Sequence, residues 1–168
     1  ELSWLGLVEW QGTRMSGAQA LGCSPIYEAW QRQSFTIRPQ KPNTIAKSLA
    51  IGNPADGYYA LKTLEQTGGA AAAVTDEEVV DGIKLLAETE GIFAETAGGV
   101  VIAGLRHLIR DGHVHPDEVV VAFITGAGLK TQEAVMPALT PALQIRATID
   151  SFEEALAGRE VALASERR

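Results

Sequence analysis

The run Glu118-Val-Val-Val-Ala-Phe-Ile-Thr125 narrows most sharply what this chain can fold into. An unbroken apolar stretch of this kind fits a strand buried on both faces, as in parallel sheets, and not the alternating pattern of a sheet with one wet face. Turn clusters and apolar runs alternate along the rest of the chain in a strand–helix rhythm. Met15 to Leu21 reads as a strand, and Ser24-Pro25 as the cap and first turn of a helix through Arg32. The stretch 34–43 reads as an irregular connection, Thr44 to Ile51 as a short helix and Tyr58 to Thr67 as another helix. Ala70 to Val74 fits either a buried strand or an alanine-rich turn. Thr75-Asp-Glu-Glu78 forms a capping box, followed at helical spacing by Val79, Val80, Ile83, Leu86 and Ala87. Thr96 to Asp111 predicts a further helix. A tail begins at Pro141 and contains a final helix over Thr148 to Leu156. The pattern predicts an α/β fold with an open, mostly parallel sheet flanked by helices. Ligands in such sheets sit outside the carboxyl ends of the strands, which directs attention to the end of the 119–124 strand.

Composition removes several functions. With 46% hydrophobic and 21% charged residues, the 168-residue chain is globular rather than disordered. Its formal net charge of -7 argues against nucleic acid or an anionic membrane as a partner. Charges interrupt every apolar run short of a membrane helix. The single cysteine, Cys23, has no internal partner, which fits a reducing compartment and a cytoplasmic location. The chain opens on Glu1 with an apolar segment already under way, so we expect it to be cut from something longer.

Three glycine-containing segments are candidates for chemistry. Thr125-Gly-Ala-Gly-Leu-Lys-Thr131 follows the buried run and lets a backbone or planar ring approach closely, although spacing alone fits a plain strand-to-helix turn better. Glu95, just before the Thr96 helix, either caps that helix or serves a site. Gly52-Asn-Pro-Ala-Asp-Gly57 reads as a loop. His113, His115 and Asp117 are too few for a zinc site and read as a surface turn.

Taken in order, four segments resemble the threonine synthase family. They are Arg14-Met-Ser-Gly-Ala-Gln-Ala-Leu-Gly-Cys-Ser-Pro-Ile26, Thr44-Ile-Ala-Lys-Ser-Leu-Ala-Ile-Gly-Asn-Pro54, Thr89-Glu-Gly-Ile-Phe-Ala-Glu-Thr-Ala-Gly-Gly99 and Ile124-Thr-Gly-Ala-Gly-Leu-Lys130. That family belongs to the tryptophan-synthase-β-like, fold-type II pyridoxal-phosphate enzymes. The resemblance implies that residues 1–155 form the C-terminal part of a catalytic domain and 156–168 a tail. It implies pyridoxal phosphate as cofactor, and conversion of O-phospho-L-homoserine and water to L-threonine and phosphate. Thr125 would meet the cofactor's pyridine nitrogen, Gly126 and Gly128 would form the adjacent turn, and Glu95 would lie near the ring. The Schiff-base lysine and the phosphate loop are expected upstream of this chain, because Lys41, Lys47, Lys62, Lys84 and Lys130 all stand outside the lysine's motif. No catalytic residue is therefore expected here, and the chain alone is expected to be inactive. The alternatives are a pyridoxal-phosphate serine or threonine dehydratase, and a non-catalytic module of the same fold. An uncovered half-domain is also expected to self-associate.

Overall fold

A computed structural model describes the backbone of residues 1–139 and 143–166, with side chains described within 1–139 and 143–158. Pro141, where the expected tail begins, and the terminal Arg167 and Arg168 lie outside the described residues. The chain divides into two compact units, 1–137 and 138–168.

The first unit is built on two short parallel strands, β1 (Gly17–Ala20) and β2 (Ala71–Val74), with Gly17 opposite Ala71 and Ala20 opposite Val74. Side chains alternate across a strand. Ala18 therefore faces one layer, where helix α4 (Thr96–Arg110) comes close enough for a Cβ on Gly104 to meet the Ala18 methyl at 2.4 Å. Gln19 faces the other layer and holds helix α1 (Pro25–Gln31). Its Oε1 accepts the amides of Ile26 at 3.0 Å and Tyr27 at 2.9 Å. The expected Ser24 side-chain cap is thus replaced by a strand residue, and the Ser24 hydroxyl donates instead to the Leu21 carbonyl at 3.3 Å. Small side chains on both strands let helices approach from both sides, which is the α/β arrangement the sequence predicts.

Helix α2 (Gly57–Thr67) ends on Gly68 in the left-handed conformation. Helix α3 (Asp76–Glu90) starts with the predicted capping box: Thr75 Oγ1 accepts the Glu78 amide at 3.2 Å, and Glu78 Oε2 accepts the Thr75 amide at 2.8 Å. The Thr75 amide holds the Glu78 carboxyl below its ordinary range, helped by His107, whose Nε2 lies 2.6 Å from Glu78 Oε1. Helices α3 and α4 touch backbone to backbone, since a Cβ at Gly99 would stand 2.4 Å from the Val79 carbonyl oxygen. Val74, Val79, Ile83 and Val100 fill the core between them and the strands.

Two further expectations fail, each for a physical reason. The Thr44–Ile51 helix shrinks to one 3₁₀ turn, Lys47–Leu49. Asp76 competes for that segment, taking the Thr44 hydroxyl at 2.5 Å and the Ile45 amide at 3.1 Å. The 118–125 run is not a strand here. Val119 is 96% exposed, Val121 74% and Phe123 69%, and the sheet of the described residues has only β1 and β2. A strand exists through backbone hydrogen bonds to a neighbour, and neither of the described strands pairs with this run. Its start is nevertheless anchored, because Glu118 pairs with Arg14 and accepts the His115 amide at 3.1 Å.

The second unit carries helix α5 (Ile149–Glu166), which extends past the predicted Leu156. Thr148 starts it, accepting the Ser151 amide on its hydroxyl at 3.3 Å and the Phe152 amide on its carbonyl at 3.2 Å. Among the described residues no helix is long and apolar enough to cross a membrane.

Candidate functional site

The first turn of α4 and the loop after the exposed run meet in one place. Glu95 occupies the capping position with extended backbone, yet its carboxylate caps nothing. It is 9% exposed and turned toward Gly126, where an added Cβ would stand 2.4 Å from both Cδ and Oε1. Gly126 has φ +89°, a left-handed conformation that favours glycine. Its carbonyl accepts the Glu95 amide at 3.2 Å. Ala94 and Ala127 form an antiparallel bridge, and the Gly128 amide donates to the Phe93 carbonyl at 2.9 Å. Gly128 also lies flat on the Phe93 ring, with 2.6 Å available to a Cβ that is not there.

Of the residues expected from sequence, Glu95 and Gly126 are therefore in direct contact, and Gly128 sits one bridge further on. Thr125 precedes Gly126 and is exposed, while its neighbour Ile124 packs its Cγ2 within 3.3 Å of where a Gly98 Cβ would stand. Thr125 thus ends an exposed irregular run and not a buried strand. Lys130 reaches back toward the same carboxylate, Nζ 4.0 Å from Glu95 Oε2, but is 67% exposed and adds little as an ion pair.

Sequence reasoning did not single out Phe93, Thr96 or Thr131. Thr131 Oγ1 accepts the Thr96 amide at 3.1 Å across 35 positions, a separation without any local signature. The Thr96 hydroxyl is fully buried and finds no partner among the described residues. The Gly52–Gly57 segment belongs elsewhere: the Gly52 carbonyl accepts the Gln40 amide at 2.9 Å, and Gly57 packs on Ile37. No cluster of three or more His, Cys, Asp or Glu side chains suited to a metal occurs among the described residues.

Two cavities stand apart from this cluster. One, of about 480 Å³, is lined by Glu78, Asp81, Arg106 and His107; the other, of about 420 Å³, lies against Gln19, Tyr27, Ile51 and Leu64. Neither is lined by Glu95, Thr125, Gly126 or Gly128. The Glu95–Gly126 contact thus lies outside both cavities.

Comparison with known proteins gives this contact a context. A family profile described as "Pyridoxal-phosphate dependent enzyme" matches residues 4–126. Threonine synthase of Methanocaldococcus jannaschii is 40% identical over 161 residues, covering 91% of this chain and 40% of that protein. Threonine synthase of Methanosarcina acetivorans is 38% identical over 147 residues, covering 87% of this chain and 36% of its own length. The chain thus spans less than half the length of these curated relatives. The crystal structure of an L-serine ammonia-lyase from Rhizomucor miehei shares the fold, with a TM-score of 0.55 over 81% of this chain and 44% of that one, at 21% identity. With the family profile covering most of its length, this chain belongs to the pyridoxal-phosphate dependent enzymes.

Proposed function

We propose that this chain is the C-terminal portion of a threonine synthase, which converts O-phospho-L-homoserine and water to L-threonine and phosphate. The observation that carries the reading is the contact of Glu95 with Gly126 beside the exposed Thr125, in a chain 38–40% identical to two threonine synthases along most of its length.

The residues present suit one end of pyridoxal phosphate. When bound, the cofactor supplies an electron-withdrawing ring. Thr125 offers a neutral hydroxyl to the ring nitrogen, and such a group does not hold that nitrogen protonated as a carboxylate would. Gly126, without a side chain, leaves the approach open, and Glu95 lies directly behind it. The reactive lysine and the phosphate loop belong, in this reading, to the rest of the enzyme. The assembled enzyme is this chain joined to, or co-expressed with, that remaining sequence.

In the assembled enzyme, inorganic phosphate should appear from O-phospho-L-homoserine together with threonine in equal amounts, and the chain alone should release none. Ammonia from serine or threonine at a higher kcat/KM, without phosphate release, would make it a dehydratase instead. Binding of the cofactor with neither reaction would leave a non-catalytic module.

The exposed Val119, Val121 and Phe123 support a second part of the proposal. The run pairs as a strand once a neighbour is supplied, by the remainder of the enzyme or by a second copy of the chain. The chain alone should then self-associate and bind a hydrophobic dye. Sedimentation as a clean monomer at high concentration, with no dye bound, would contradict this. A buried lone Cys23 is in keeping with the reducing cytoplasm as the place of action.

A further inference from the structure

We infer that Thr131 is a positioning residue for the turn that carries Thr125. The inference rests on the cofactor reading above and adds to it a residue which that reading does not use. Helix α4 opens with unsatisfied amides, and the residue placed to cap them, Glu95, directs its carboxylate to Gly126 instead. The capping oxygen comes from Thr131, whose hydroxyl accepts the Thr96 amide.

That hydroxyl does not move independently of the loop. The Thr131 amide donates to the Gly128 carbonyl at 3.0 Å, and the Thr131 carbonyl accepts the Ala134 amide at 3.0 Å. The loop is therefore clamped at one end to the segment leading into α4 and at the other to the first residue of α4. At 126 and 128 the clamps are backbone bonds to Glu95 and Phe93; at 131 the clamp is a side chain. Only the last can be removed without touching the backbone.

The arrangement has a chemical consequence. A carboxylate at a capping position ordinarily turns back onto the first-turn amides. Here Glu95 stays against Gly126 instead, and Thr131, on the Thr96 amide, ties the loop to the start of α4. Losing the threonine hydroxyl removes that side-chain tie and lets the Thr125 turn drift relative to Glu95 and α4.

Thr131→Val keeps the shape and removes the acceptor, and Thr131→Ser keeps the acceptor. Amide exchange in the chain reads the cap: Thr131→Val should speed exchange at Thr96 roughly fivefold, the loss of an ordinary helix cap, and Thr131→Ser should restore it. The absorption spectrum and the dissociation constant of pyridoxal phosphate in the assembled enzyme read the positioning. Thr131→Val should shift the spectrum and weaken binding about five- to tenfold, again restored by serine. Unchanged exchange in the valine variant would overturn the hydrogen bond. Faster exchange with an unchanged spectrum and affinity would reduce Thr131 to a helix cap and overturn the inference. Failure of the unsubstituted assembled enzyme to bind pyridoxal phosphate would sink the functional reading, and the inference with it, while the exchange data still report the cap.

Discussion

Gly126→Ala should weaken pyridoxal phosphate binding by the assembled enzyme by more than tenfold, or about 1.4 kcal/mol. Two costs combine at this position. The backbone sits at φ +89°, where an L-residue pays about 1–2 kcal/mol. The new methyl would also enter the Glu95 carboxylate, at 2.4 Å from Cδ and Oε1. Glu95 is 9% exposed, so it cannot simply swing into water; it must rotate against the first turn of α4 or push the Thr125 turn outward. Either movement breaks the contact on which the proposed site depends. Gly68 supplies the control, because it has φ +66° and open space around its Cβ direction. Gly68→Ala therefore reports the backbone cost alone, by denaturant unfolding of the chain. Gly126→Ala should lose measurably more stability than Gly68→Ala, and should be the one that weakens cofactor binding. Equal losses with unchanged binding would mean that the carboxylate has free room and that the close contact is incidental.

Local features of this fold were legible, and features set by distant partners were not. The α3 capping box was readable because Thr75 and Glu78 are three residues apart and need nothing else. Helix α4 was readable for a similar reason, since its apolar spacing marks the face that packs on β1, β2 and α3. Ser24 was given the capping role by its position before Pro25, but Gln19 took it from the neighbouring strand. Thr44 to Ile51 looked helical until Asp76, 32 positions after Thr44, drew its hydroxyl and the Ile45 amide away. The clearest apolar run proved the least strand-like, because hydrophobicity records what a segment needs and not whether a partner is present.

The site divides the same way. Thr125, Gly126, Gly128 and Glu95 were each picked out as candidate residues, and the family resemblance placed them on one cofactor. The contact of Glu95 with Gly126 appears only when α4 and the loop are brought together. Thr131 carried no signal at all, since a threonine after a lysine has no local mark of capping a helix that begins 35 residues earlier.

Thr125 is the residue on which the proposed cofactor contact turns. The Ile124 methyl packs toward Gly98, and Gly126 is clamped to Glu95, so the exposed Thr125 side chain is held between two fixed neighbours. If its hydroxyl meets the ring nitrogen, Thr125→Val removes one buried hydrogen bond while keeping the shape. A loss of about 1–3 kcal/mol, felt in the transition state, lowers turnover roughly ten- to hundredfold. Thr125→Ser keeps the hydroxyl and should retain most activity. The measurement is phosphate release from O-phospho-L-homoserine by the three assembled enzymes, each shown beforehand to bind the cofactor. Parent and serine variant should lie close together, with the valine variant at least tenfold slower. Equal rates in all three would contradict this and leave Thr125 as a residue of the turn only.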